Sequence, residues 1–525
     1  MDPRDLDLPL PPLDMTPAEA HARFAELQAR LVPLWRSMRD FTQDEQTIVV
    51  VASMSADMAV TSSEMQAYEE RFLFLLLLLR QPAARLVYVT SQPINPAVIE
   101  YYLNLLPGVV SWDAKRRLHL VAVEDATVKP LTVKLLERPG LIARIRALVK
   151  DPRRAHLVPY NTTLLERDLA LRLGIPMYGA DPKYFDFGTK TGCRRLFAEE
   201  GVAHPLGFEG LSTLEEVAAR IGEIRAARPR AGAAIVKLNE GLSGEGNAFV
   251  DLAVLPAPGA PGEKDAIASR LAAMRFELGS MTRDDFARKL SARGGVVEER
   301  IAGRDFRSPS VQLRVTPLGE IEVLSTHDQV LGGPSGQSFL GCRFPADVEY
   351  AAAITRDAAK IGRRLAKEGV LGRFAIDFVV CRNEAGGWDH YAIEINLRKG
   401  GTTHPFLTLK FLTDGVYDPE AVVFRAPSGR PKCFVANDHL HNARYRSLTP
   451  ELVLELISKK GIHFDQTRQT GCVFHMMCAL GECGRIGVTA VGESHAEAEA
   501  MYGRAVAALD EEAAAQLAAR PVPKS

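Results

Sequence analysis

Apolar and polar positions along this chain follow three successive rhythms. After a Pro-rich leader and a periodic stretch over 17–38 that predicts an amphipathic helix, short apolar runs at 47–51, 86–89 and 118–123 alternate with helix-length segments at 61–80, 96–106 and 139–149. Short, wholly apolar runs are the mark of strands buried on both faces, and this alternation predicts βαβ units around a parallel sheet. The turn after the first run reads A-S-M-S-A-D-M and lacks a G-x-G-x-x-G, so no dinucleotide site is expected there. The most apolar stretch, 72–79, lies between Arg71 and Arg80. It is far shorter than the roughly 20 residues that span a bilayer and predicts a buried core helix.

The second rhythm starts with predicted helices at 164–173, closed by Gly174, and at 186–200, closed by Gly201. Strands separated by Gly-rich turns follow, interrupted by one long helical insertion over 264–293 that is preceded by the linker L-P-A-P-G-A-P-G-E. Over 310–316, Gln312 and Arg314 alternate with apolar residues, which reads either as a half-exposed strand or as a strand turning Arg314 toward substrate. Beyond Pro405 come short mixed elements and an Ala/Glu-rich helix over 494–519. The fold class expected is α/β and α+β multidomain: a Rossmann-like domain over 1–160, an α+β domain over 161–415 and a small C-terminal α+β domain over 416–525.

Composition adds exclusions. The chain has 525 residues, 46% hydrophobic and 25% charged, with 64 Lys+Arg against 65 Asp+Glu. A net charge of −1 exerts no general pull on nucleic acid or an anionic membrane, so neither is an expected partner. Seven scattered cysteines argue against a disulfide scaffold, and the acidic, Pro-rich start has neither the basic residues nor the apolar run of an export signal. A cytoplasmic protein is expected. Oligomeric state stays open, a homodimer being a form that enzymes of this size often take.

The most specific chemistry lies in F-A-I-D-F-V-V, with Asp377, and Y-A-I-E-I-N-L, with Glu394 and Asn396. Strand side chains alternate, so Glu394 and Asn396 share a face, and Asp377 on a neighbouring strand joins them. Three oxygen donors suit a hard cation, and Mg²⁺ combines a few carboxylates with substrate phosphates and water. Solvated acids on an edge strand are the alternative. Lys237 closes another apolar run and leads into N-E-G-L-S-G-E-G-N, where Gly241, Ser243, Gly244 and Gly246 predict a hairpin loop whose backbone N–H groups fold over phosphate oxygens. Taken alone, that loop equally reads as an ordinary hairpin. In V-V-E-E-R-I-A-G-R-D, the backbone from Glu299 to Ile301 suits an adenine edge and Asp305 suits ribose hydroxyls, unless this is an exposed acidic strand end. His404 reads as a loop support or a general base. Cys472, Cys478 and Cys483, with His475, lack the spacing of a structural zinc site and read as buried thiols.

Taken in order, Lys190, Lys237 with its glycine loop, Glu298-Glu299-x-Ile301, Asp377 and Glu394-x-Asn396 resemble the ATP-grasp superfamily of carboxylate–amine ligases over residues 160–410. More narrowly, E-I-N-L-R-K-G-G-T-T-H-P and S-T-H-D-Q-V-L-G-G look like the peptide ligases of the pheganomycin-ligase type, which carry a Rossmann-like domain in front and a small domain behind. The resemblance implies an ATP-grasp fold over 161–415, with ATP and Mg²⁺ as cofactors. It implies Lys190 and Lys237 at the nucleotide phosphates, Glu298, Glu299 and Ile301 around adenine, and Asp305 at the ribose. Asp377, Glu394 and Asn396 match the magnesium ligands, and the loop 241–246 matches a mobile flap. Many relatives place an arginine two residues before the first metal-binding acid, where this chain has Ala375. Arg373, Arg398 or Lys399 is then left to steady the phosphates or an oxyanion. The function implied is an ATP- and Mg²⁺-dependent ligase joining a small-molecule or peptide carboxylate to an amine through an acyl phosphate. A kinase acting on a hydroxyl and a nucleotide-binding regulator without turnover are the two alternatives.

Overall fold

The computed structural model describes residues 10–39, 45–55, 61–241, 244, 246–333 and 336–519. Its N-terminal part is built on a four-stranded parallel sheet in the spatial order Leu118–Ala122, Ala84–Thr90, Gln46–Val51, Ala155–Pro159. The three apolar runs are strands, as expected. The fourth strand, A-H-L-V-P, escapes the pattern because a histidine and a proline interrupt its apolar character. Alternate side chains enter separate cores. Val49, Val51, Val87 and Val89 pack with Phe24 and Leu27 of the helix Pro17–Ala29, whereas Ile48, Val50, Leu86 and Tyr88 pack against residues 72–79. That stretch is a buried helix, but a 3₁₀ one, Arg71–Arg80.

Next comes a five-stranded antiparallel sheet in the order Gly207–Leu211, Gly295–Glu299, Ala233–Leu238, Asn247–Asp251, Arg275–Phe276. The expected single insertion helix is two helices, Glu263–Ala272 and Arg283–Arg293. The break is chemical: Arg275–Phe276 pairs with Asn247–Asp251, and Thr282 starts the second helix by accepting a hydrogen bond from the Asp285 amide.

A nine-stranded sheet forms the largest layer. It runs Arg304–Arg307, Gly372–Arg382, Pro309–Val315, Ile321–Gly332, Ser338–Phe344, Cys433–His441, Arg485–Gly492, Gly471–His475, with Trp388–Asn396 also paired to Gly372–Arg382. The helix Val348–Glu368 covers it with Tyr350, Ala351, Ile354, Ala358 and Ile361. Three strands of the region 416–525, the expected small C-terminal domain, continue this sheet, with Gly341 opposite Asn437 and Arg343 opposite Val435, while Val416–Asp418 and Val423–Arg425 pair only with each other. Its apolar residues also share one core with the N-terminal sheet: Phe72 to Leu79 belong to the same cluster as Phe434, Phe474 and Leu509. No helix among the described residues is long and apolar enough to cross a membrane.

Candidate active site

The register of two antiparallel strands assembles the central constellation. Asp377 of Gly372–Arg382 lies opposite Glu394 of Trp388–Asn396, and Ala375 lies opposite Asn396, so three oxygen-bearing side chains share one face. The Asn396 amide donates to Asp377 Oδ2 at 2.9 Å and to Glu394 Oε1 at 3.1 Å, and Lys190 forms an ion pair with Glu394. Lys190 begins the helix Lys190–Glu199, where Thr189 caps by accepting from the Gly192 amide at 2.9 Å. Burial pushes Lys190 down to about 8 and pushes the Asp377 carboxyl up. Two acids held together in a partly buried cleft need positive charge, which the lysine provides here. A hard divalent ion meets the same need with the same oxygens.

These residues line one cleft together with Lys237, Gly241, Gly244, Gly246, Glu298, Glu299 and Ile301. Lys237 forms an ion pair with Glu298, which also accepts from Arg194 at 3.1 Å. The glycine loop closes as a hairpin, the Leu238 amide donating to the Gly246 carbonyl at 2.9 Å. It is tied to the larger sheet by Asn247 Nδ2, 2.7 Å from Gln337 Oε1, and Gly244 adopts φ +82° where a Cβ would lie 3.3 Å from the Gln337 carbonyl oxygen. Ser243 lies outside the described residues.

Three expected residues stand elsewhere. Asp305 does not line the cleft; its side chain is 63% exposed and its carboxylate lies 3.6 Å from Arg382. The short strand Arg304–Arg307 carries it outward on the sheet edge. Arg373 is on the same strand as Asp377, but at its far end, where Arg314 and Tyr178 are its electrostatic neighbours, and burial with Arg314 lowers it to about 10. Lys399 turns away to donate to the Pro159 carbonyl at 2.6 Å. Of the three basic candidates, Arg398 lines the cleft. Its hydrogen bonds go to neutral acceptors: Asn396 Oδ1 and the Lys399 carbonyl, each at 3.0 Å, and the Tyr160 hydroxyl at 3.5 Å. Arg314 points away from the cleft, bonding Glu322 and lying 4.7 Å from the Trp35 ring centre.

Sequence reasoning missed the wall formed by Met54, Tyr68, Arg71, Tyr160 and His439. These residues come from the N-terminal and C-terminal regions, and no motif links them. Arg71 Nη1 donates to Asp438 Oδ2 at 2.6 Å, with both side chains buried. Asp438 Oδ1 lies 2.9 Å from His475 Nε2 and 3.2 Å from His404 Nε2. Burial alone would raise Asp438, but His404, Arg71 and the histidine hydrogen bonds hold it well below the usual carboxylate range. His404 is buried in this network, its Nε2 also 3.1 Å from His475 Nε2, and desolvation lowers it to about 4.

Comparison with known proteins adds to this geometry. Residues 266–419 match a family model described as IQCH-like, ATP-grasp, and residues 453–505 match the PGM1 C-terminal domain. An L-propargylglycine--L-glutamate ligase from Streptantibioticus cattleyicolor is 30% identical over 449 residues, covering 84% of this chain and 88% of that protein. An IQ motif-containing protein H from Danio rerio is 25% identical over 343 residues, covering 57% of this chain and 32% of that protein. Among solved structures, the biotin carboxylase of Campylobacter jejuni in complex with β,γ-ATP superposes with a TM-score of 0.54 at 12% identity, covering 91% of this chain and 96% of that one. An N5-carboxyaminoimidazole ribonucleotide synthetase in complex with ADP gives 0.50 at 10% identity, covering 89% and 98%.

Proposed function

This chain belongs to the ATP-grasp carboxylate–amine ligases, and from that premise we propose that it uses Mg-ATP to join the carboxylate of one amino acid or short peptide to the amine of another. The observation that carries the reading is the register-matched set Asp377, Glu394 and Asn396, facing Lys190 in the cleft that Lys237 and the glycine loop also line.

A carboxylate does not acylate an amine at neutral pH without a better leaving group. In the proposed sequence a carboxylate oxygen attacks the γ-phosphorus of ATP, the bond to the β,γ-bridging oxygen breaks, and ADP leaves. The amine nitrogen then attacks the acyl carbon, the C–O bond to phosphate breaks, and the nitrogen gives up a proton. Lys190 and Lys237 hold the phosphates, and Glu299 with Ile301 frames the adenine. Asp377, Glu394 and Asn396 would hold Mg²⁺, which when bound offsets charge on the phosphate oxygens. Lys190, paired with Glu394 in the structure, would give that carboxylate up to the ion. Arg398 is the guanidinium best placed for the transferring phosphoryl group or the acyl oxyanion, because it lines the cleft and carries only neutral partners among the described residues. The glycine loop excludes water from the acyl phosphate. All seven cysteines are free, which supports a reducing, cytoplasmic setting.

The relative from Streptantibioticus cattleyicolor makes a small α-amino acid together with L-glutamate the first substrate pair to try. The test is a hydroxylamine trap with Mg-ATP and a panel of amino acids and short peptides. Hydroxamate and ADP should form together, and Glu394→Ala should lower both by at least about 100-fold, the scale of losing an electrostatic arm of phosphoryl transfer. A stable phosphorylated product without hydroxamate would make the protein a kinase, and ATP binding without turnover would make it a regulator.

A further inference from the structure

The proposed reaction leaves Arg71 without a task, although its environment is elaborate. The residue opens the buried helix Arg71–Arg80, is 4% exposed, and lines the same cleft as the oxygen set. Its Nη1 is engaged by Asp438, while its Nε has no hydrogen-bond partner among the described residues. Such a guanidinium has donor capacity that the protein itself leaves unmet, in a place where an unmet donor is costly.

Its surroundings fix its plane and its position. The guanidinium carbon lies 4.8 Å from the Tyr68 ring centre and 5.6 Å from that of Tyr160. Aromatic rings at this range attract the guanidinium without consuming its N–H donors. Asp438 is itself held by His404 and His475, at 3.2 and 2.9 Å, so the anchor of Arg71 cannot swing freely. A chain of contacts leads from Arg71 to the reacting end of the cleft: Tyr160 lies under Arg71, its ring centre is also 5.9 Å from the Arg398 guanidinium, and Arg398 is bonded to Asn396. Two guanidinium groups thus share one aromatic neighbour in the same cleft. One of them is beside the proposed metal-binding set and the other beyond it.

We propose that Arg71 binds the α-carboxylate of the acceptor amino acid, the carboxylate that is not activated, with its amine directed toward the acyl carbon near Arg398. This rests on the ligase reading and adds to it the requirement for a free α-carboxylate on the acceptor and the residue that recognises it. A planar guanidinium suits that role because it offers parallel donors to both carboxylate oxygens. Tyr68, Tyr160 and Met54 give the acceptor an apolar wall.

The experiment compares the twenty common L-amino acids with their α-carboxamides as acceptors, in the wild-type enzyme and in Arg71→Lys and Arg71→Gln, with acceptor-independent hydroxamate formation measured in parallel. The wild type should prefer the acid over the amide on the order of 100-fold in kcat/KM, as expected when a charged hydrogen-bonding partner is lost. Arg71→Gln should bring that ratio to within a few-fold of one by raising KM for the acid more than KM for the amide, the amide serving as the internal reference. Arg71→Lys, which keeps a charge beside Asp438, should retain part of the preference. The acid-to-amide ratio of the wild type needs no variant, so a folding defect in Arg71→Gln does not spare the proposal. Hydroxamate formation with equal use of acid and amide by the wild type overturns it, as does a preference that survives in a folded Arg71→Gln. Absence of hydroxamate with every donor overturns the ligase reading first, and this inference with it.

Discussion

Lys399 lies 7% exposed behind the cleft, its ammonium fixed on the Pro159 carbonyl. Burial, reinforced by Arg373, lowers it to about 7, against about 10.4 in an unfolded chain. Between those two values the unfolded chain holds a proton that the folded chain has given up, so this residue makes stability rise with pH across that window, by at most about 1.4 kcal/mol per unit. Lys399→Met should remove that contribution. Urea unfolding at pH 7, 8 and 9 should show the wild type gaining on the variant at each step, and parallel curves would contradict the assignment. At this scale the legible residues were those whose position follows from strand alternation. Asp377, Glu394 and Asn396 meet because side chains two apart share a face and the register sets Asp377 against Glu394. Arg373 and Lys399 stand close in sequence to those acids, but closeness in sequence says nothing about where a strand leaves the cleft. Arg71 could not be found this way, since it reads only as the charged end of an apolar run.

The helix Arg71–Arg80 shows what an element's pattern can and cannot convey. With eight apolar residues in succession, Phe72 to Leu79, no face is distinguished, so burial follows from the sequence but the choice between 3.0 and 3.6 residues per turn does not. The insertion before Gly295 reads as one helix for the opposite reason. Its two helical stretches are each periodic, and the two-residue strand between them is too short to register. Because the helix Arg71–Arg80 belongs to the core it shares with the C-terminal strands, trimming it should be felt throughout the molecule. Leu76 is fully buried there. Leu76→Ala should cost about 2–5 kcal/mol, read as a lowered urea midpoint followed by circular dichroism. A shift under about 1 kcal/mol would mean that this packing is looser than described.

At the scale of the whole molecule, the N-terminal sheet and the ATP-grasp sheets were legible from their rhythms, while the dependence between distant regions was not. Pairing of Ser338–Phe344 with Cys433–His441 joins segments about a hundred residues apart, and only the folded chain displays it. Residues 1–415 produced alone would expose that sheet edge, lose 24 of the 54 buried residues of the shared core and leave Arg71 without Asp438. This fragment should be insoluble or lack a cooperative melting transition. A fragment that melts cooperatively and binds ATP like the full chain would show that the C-terminal strands are dispensable for folding. Turnover depends on the same assembled cleft, and isotope transfer is the most direct test of an acyl phosphate formed there. With the donor carboxylate labelled in both oxygens by ¹⁸O, turnover with Mg-ATP and an amine should release inorganic phosphate carrying one ¹⁸O atom, detected by ³¹P NMR, together with unlabelled ADP. Unlabelled phosphate, or label appearing in AMP, would contradict transfer of the γ-phosphoryl group to the carboxylate.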